Sequence, residues 1–114
     1  MEEQFLRTAM LLGQEAVQRL QKARVAVFGL GGVGGYVVEA LARGGVGQLD
    51  LIDSDTIGLS NLNRQLLATR STLGMPKVEA GRQRVLDINP DCIVRTYPVF
   101  YTPETADSFD FRDY

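Results

Sequence analysis

At 114 residues, with a net charge of -2 and an isoelectric point near 5.0, the chain has room for one domain and no global pull toward nucleic acid or anionic membrane. Its 45% hydrophobic and 23% charged residues are ordinary for a soluble globular protein, and a chain of this length buries about two-thirds of its unfolded surface. One cysteine, Cys92, and no histidine exclude a disulfide framework, a zinc site of paired Cys-x-x-Cys motifs and any imidazole-based triad.

Residues from about Glu2 to Lys22 read as helical with a break at Gly13, with Leu12, Ala16, Val17 and Leu20 on one face. The start, MEEQFLR, lacks the basic and apolar regions of a secretory signal, and no apolar run approaches the ~20 residues of a membrane span. A cytoplasmic protein with no membrane and no DNA partner is expected. RVAVFGL, Arg24 to Leu30, is near-continuously apolar, as suits a parallel strand covered on both faces. Val33 to Arg43 returns to helical period, with Val33, Val37, Ala40 and Leu41 on one side and Gly44-Gly45 as its stop. QLDLID, Gln48 to Asp53, is a second strand, completing a βαβ unit. A polar stretch of about twenty residues follows, and so long an irregular connection in a compact domain is usually functional. A helix from about Met75 to Ile88 opens with Pro76 and carries Val78, Gly81, Val85 and Ile88 on one face. CIVRTYPV is a third strand, and Thr102-Pro103-Glu104 has the cap, proline and acid of a short final helix.

The predicted fold is α/β, a Rossmann-like βαβ unit with parallel strands preceded by helices over residues 1–22. A doubly wound sheet orders its strands 3-2-1-4-5-6, so three strands leave strand one at an exposed edge. The expectation is one nucleotide-binding domain over residues 1–114, the N-terminal part of a larger doubly wound domain that stops before its fourth strand.

Within this unit, Gly29-x-Gly31-x-x-Gly34 has the spacing of a nucleotide-binding turn, with Gly32 and Gly35 added. Gly29 permits the sharp turn, Gly31 the close approach of backbone amides to a phosphate, and Gly34 tight packing of helix on strand. The helix that follows has no acid before Glu39, which leaves its N-terminal N–H groups open to an anion. Asp53 ends the second strand where a carboxylate accepts a ribose hydroxyl, and Asp55 is placed to assist with the ribose or a metal. A tight packing turn and solvated strand-end acids are the bland readings of these features. Lys77 sits in the first turn of its helix, where a cation opposes the dipole, and Arg64 lies among amides in SNLNRQ, Ser60 to Gln65. Alone each is a solvated cation; after a glycine turn and a strand-end acid they suggest clamps for a polyphosphate. No Gly-Lys-Ser/Thr follows the glycines, so the chain is not a P-loop NTPase. An NAD-dependent oxidoreductase and a non-catalytic dimerising nucleotide-binding module remain alternatives at this point.

GLGGVG, LIDSDTI, SNLNRQ and GMPKVEA, in this order and spacing, resemble the ThiF/MoeB/HesA superfamily of ubiquitin-like-protein activating enzymes. NRQLLAT, LGMPKVE and RVLDINPDC are most similar to its tRNA threonylcarbamoyladenosine dehydratase branch. The resemblance implies ATP-dependent adenylation of a carboxylate, with ATP and Mg2+ as cofactors. The carboxylate would be that of threonylcarbamoyladenosine in tRNA, cyclised after activation. In other branches it is the C-terminal Gly-Gly of a small ubiquitin-like sulfur-carrier protein. Matched by position, the resemblance assigns Gly32 in the loop and Asp53 to the nucleotide and Ser60, Asn61, Arg64 and Gln65 to the phosphate site. Arg64 and Lys77 would stabilise the transferring group. Arg7, in QFLRTAMLLG, matches an arginine inserted across a homodimer into the neighbour's site. The family's metal-binding aspartate would lie beyond Tyr114, so the isolated chain is expected to be inactive. Cys92, at the start of the third strand, reads as a small core residue and not as a nucleophile.

Overall fold

The computed structural model describes residues 3–114. The element order is α1 (Leu6–Leu12), α2 (Gln14–Lys22), β1 (Arg24–Phe28), α3 (Gly34–Gly44), β2 (Gln48–Ile52), α4 (Lys77–Ile88) and β3 (Ile93–Tyr97), with single 3-10 turns before, between and after them. Glu2, included in the predicted first helix, lies outside the described residues. Gly13 separates α1 from α2 at φ +90°, a conformation that glycine alone adopts without strain.

The three strands form one parallel sheet in the order β1-β2-β3, with β1 at an edge as the doubly wound arrangement predicts. The register aligns Ala26, Asp50 and Arg95 across the sheet, and Phe28, Ile52 and Tyr97 one step further along. Side chains alternate along a strand, so the sheet has two different faces. Val25, Val27, Leu49, Leu51 and Val94 meet α3 and α4 in the main core, joined by Val38, Ala42, Val78, Ala80 and Val85. Burying a side chain of this kind stabilises the fold by about 1.5–3 kcal/mol each.

The other face is not covered by helices among the described residues, so the expectation of a first strand packed on both sides needs correction. The C-terminal segment lies there instead: Phe109 packs edge-on to Phe28 and Tyr97, and Tyr101 and Phe111 join the same aromatic group. Phe28 remains half-exposed, because Phe109 alone of these rings is buried.

Three further expectations are corrected. In α3 the inward residues are Gly35, Val38 and Ala42, whereas Val33, Val37 and Ala40 face outward; close contact through Gly35 turns the helix to this phase. The final helix is a turn followed by one 3-10 turn, Ala106–Ser108. There the Thr102 and Thr105 hydroxyls bond one another and nearby backbone, which closes a turn rather than extending a helix. Leu12, predicted to face inward with Val17, is exposed at the break. Among the described residues no helix is long and apolar enough to cross a membrane.

Candidate functional site

The site grows from the end of β1. Gly29 takes φ +90°, and its N–H donates to the Ile52 carbonyl at 2.8 Å, tying the start of the glycine loop to the end of β2. Leu30 then drops its side chain into the core, fully buried, and donates its N–H to Asp53 Oδ2 at 2.7 Å. Asp53 is therefore a strut: its Oδ1 accepts the Asp55 N–H, also at 2.7 Å, so one carboxylate orders both the glycine loop and the turn after β2. Each oxygen retains a lone pair for a further donor.

The helix α3 starts at Gly34 with no acid in its first turn. A Cβ on Gly34 would stand 1.8 Å from the Gly29 carbonyl oxygen, so backbone packs on backbone here. At Gly32 nothing lies within 4 Å of such a Cβ. The loop is closed underneath and open above, beside the unpaired N–H groups of a helix start. That is the geometry of an anion site.

The long connection is held by apolar anchors. Ile57, Leu67 and Ala68 are buried in the main core, so the segment between them is presented rather than free. Asn61 Oδ1 accepts the Gly58 N–H and the Gln65 N–H reaches the Asn61 carbonyl, which closes Ser60–Gln65 into a compact turn. Arg64 is exposed; its Nη1 donates to the Ser60 carbonyl and to Asn63 Oδ1, with no carboxylate partner among the described residues. Gln65 is 8% exposed, lies beside Gly31, and its buried Oε1 has no hydrogen-bond partner. A buried acceptor left unpaired costs about 1–3 kcal/mol, and its position beside the glycine loop suits a bound donor.

Lys77 is the first residue of α4 and is buried, its side chain 7% exposed. Its N–H donates to the Asp55 carbonyl at 3.0 Å, and its Nζ stands 3.9 Å from Asp55 Oδ2. The Thr56–Pro76 bridge and the Ile57–Met75 hydrogen bond fasten the same two segments together. A cleft of about 270 Å³ opens at these strand ends, lined by Gly29, Asp53, Ser54 and Asp55 on one side and by Phe28, Val99, Phe100 and Tyr101 on the other.

The structure thus brings together Gly29, Asp53 and Asp55, Gly31 and Gln65, and Asp55 and Lys77. It does not bring Arg7 to them: Arg7 lies on α1 beside the exposed Leu6, Met10 and Leu11. Cys92 is buried just before β3, and burial pushes its thiol upward, the environment of an inert core residue. Among the described residues no three His, Cys, Asp or Glu side chains converge to hold a metal ion.

Sequence reasoning passed over Asp50. It is fully buried at the centre of β2, on the face away from α3 and α4, and takes hydrogen bonds from Arg24 at 2.8 Å, Arg95 at 3.4 Å and the Tyr114 hydroxyl at 2.8 Å. Burial alone would raise its carboxyl, but the bonds from Arg24 and Tyr114 outweigh that and hold it below the ordinary carboxylate range. Burial, followed by the bond to Asp50, pushes the Tyr114 hydroxyl up to about 12. The available signal was an acid within the apolar run QLDLI, between strands that each carry an arginine.

Known proteins share this arrangement. The chain is 47% identical over 106 residues to the tRNA threonylcarbamoyladenosine dehydratase of Bacillus subtilis, covering 93% of this chain and 42% of that protein. It is 39% identical over 95 residues to the sulfur carrier protein adenylyltransferase of Thermus thermophilus, covering 83% of this chain and 35% of that one. Among solved structures, the E. coli tRNA N6-threonylcarbamoyladenosine dehydratase in complex with ATP superimposes with a TM-score of 0.90 at 40% identity, over 93% of this chain and 44% of that one. The chain therefore spans less than half the length of the relatives it matches. Its match to the ThiF family runs over residues 5–112, through every element that builds the cleft, and the chain belongs to the ThiF family.

Proposed function

We propose that this domain holds ATP for the adenylation of a carboxylate, that of threonylcarbamoyladenosine in tRNA, which then cyclises as AMP leaves, a net dehydration. The observation that carries the reading is Lys77, a buried cation facing the strand end that carries the strut Asp53. A structural lysine gains nothing from that place, whereas a polyphosphate needs it. The similar E. coli dehydratase solved with ATP supports the nucleotide, and the similar B. subtilis dehydratase supports the substrate.

In this reading a substrate carboxylate oxygen attacks the α-phosphorus. A new O–P bond forms as the bond to the bridging oxygen breaks, and pyrophosphate leaves with that bond's electron pair. The α3 N-terminus at Gly31 and Gly32, with Ser60, Asn61 and Gln65, holds phosphate oxygens; Asp53 holds the ribose. Lys77 and Arg64 offset the charge that builds on the transferring group and on the leaving pyrophosphate. Mg2+ would neutralise phosphate charge, held by residues outside the 114 described by this sequence. A homodimer is proposed as the working unit, with Arg7 reaching the partner's site, and a tRNA substrate implies the cytoplasm. Activation of a sulfur-carrier protein's Gly-Gly terminus is the second reading, favoured by the likeness to the T. thermophilus adenylyltransferase.

In the full-length protein, Arg64→Ala and Lys77→Ala are expected to abolish substrate-dependent ATP–pyrophosphate exchange. Exchange near the parental rate in both variants overturns the roles given to them. Calorimetric titration with ATP and NADH separates adenylation from dinucleotide chemistry, since NADH bound in preference to ATP would reverse the assignment. Modified tRNA and a carrier protein, offered in turn, identify the carboxylate by which one starts the exchange.

A further inference from the structure

Lys77 has a contact that nucleotide binding alone does not account for. Its ammonium is almost wholly buried, and removing such a charge from water costs several kcal/mol unless a counter-charge stands nearby. Among the described residues, the one carboxylate within ion-pair distance is Asp55, at 3.9 Å, too long for a direct hydrogen bond. The two partners differ sharply: the Lys77 side chain is 7% exposed and that of Asp55 is 64% exposed.

The backbone explains how this asymmetry is maintained. Asp55 is pinned from both sides, donating its N–H to Asp53 and accepting the N–H of Lys77 through its carbonyl. Main-chain bonds hold the start of α4 against the turn after β2, so the Asp55 side chain is not needed for that junction. The carboxylate is left in water, free to rotate, with a single loose partner. Asp55 lines the cleft beside the glycine loop, and Lys77 stands behind it.

We infer that Asp55 is an exchangeable counter-ion for Lys77: it holds the ammonium in position while no nucleotide is bound, and gives way to a phosphate of the incoming nucleotide. Asp55 is then a positioning residue that acts through Lys77. It opposes nucleotide binding slightly, through the pair that must be loosened and through repulsion of the phosphates. The inference rests on the reading of Lys77 as a phosphate-binding cation.

The test is ATP affinity by calorimetry in the full-length protein. Asp55→Asn keeps the backbone bonds and removes the charge. Because exposed pairs of this kind are weak, ATP binding should tighten by about two- to five-fold. Asp55→Glu restores a carboxylate and should return affinity to the parental value. In a Lys77→Met background the gain from Asp55→Asn should shrink toward onefold. Unchanged or weaker ATP binding in Asp55→Asn overturns the inference, and weaker binding instead makes Asp55 a direct ligand. An undiminished gain without Lys77 also overturns it. Failure of the parent protein to bind ATP defeats the proposed function itself, and is thereby distinguished from failure of this inference.

Discussion

Gly34 stands against Gly29 so closely that a methyl group on Gly34 would lie 1.8 Å from the Gly29 carbonyl oxygen. The atom it would strike is main chain, fixed by the bond from the Gly29 N–H to Ile52, so nothing nearby can swing aside. A methyl group on Gly32, two residues earlier, would meet nothing within 4 Å. The two glycines are thus required for different reasons, one by the fold and one by whatever occupies the space above the loop. Gly34→Ala is expected to destabilise the protein by about 3 kcal/mol or more through backbone overpacking. Gly32→Ala should leave stability within about 0.5 kcal/mol, as at other uncrowded surface positions, while weakening ATP binding at least several-fold. Urea denaturation and calorimetry read the two quantities, and equal effects of both substitutions on stability would refute the distinction.

That contrast also marks what can be read from a sequence. The strand–glycine turn–helix–strand order was legible because spacing alone fixes it: Gly29, Gly31 and Gly34 fall where a turn, an approach and a packing contact are needed. Lys77 was legible because its charge opposes the dipole of its own helix. Asp50 was not, because its partners depend on register. Arg95 stands beside Asp50 only once β2 and β3 are paired, and Arg24 and Tyr114 reach it from the edge strand and the chain's last residue. The inward face of α3 was misjudged for a similar reason. Periodicity gives the spacing of an apolar stripe, but the rotation of the helix was set by Gly35 packing against Leu66 and Leu67, from a segment that sequence reading treated as irregular. Gln65 gave no sign of burial, since its neighbours in SNLNRQ are polar.

Glu39 ties α3 to α4 and makes the fold sensitive to acid. Its carboxylate accepts two bonds from Arg84, at 2.8 and 2.9 Å, and one from Arg43 at 2.8 Å. The Arg84 bond foremost, with Arg43 added, lowers its pKa from 4.5 to about 2. A group whose pKa is depressed on folding contributes stability above its unfolded value, and loses that contribution as pH falls through the folded one. The contribution should therefore be complete above about pH 5 and decline toward pH 2. Solvent screening limits it to about 1–2 kcal/mol. Asp50, also held below its ordinary value, adds to the same acid limb. In urea titrations at successive pH values, Glu39→Gln should lower stability near neutrality and flatten this limb. A variant curve parallel to the parent's across that range would rule out the assignment.

Arg7 is a predicted site residue that the fold leaves apart from the glycine loop and Lys77, and its surroundings suggest why. It lies on α1 next to Leu6, Met10 and Leu11, the last 84% exposed. Apolar side chains clustered around a cation on an outer helix are costly in water and suit an isologous contact with a second copy. If Arg7 serves the partner's site, then Arg7→Ala and Lys77→Ala subunits should each be inactive alone and complement one another when mixed. In a mixed dimer the Arg7→Ala subunit keeps its own Lys77 and receives Arg7 from its neighbour, so one of the two sites is intact. With random exchange of subunits, half the dimers are mixed, and exchange activity should recover to about a quarter of the parental value. Substituting Leu11→Glu in the mixture should remove that recovery by separating the subunits, which sedimentation would show directly. No recovery from a mixture shown by sedimentation to contain mixed dimers would confine Arg7 to its own chain.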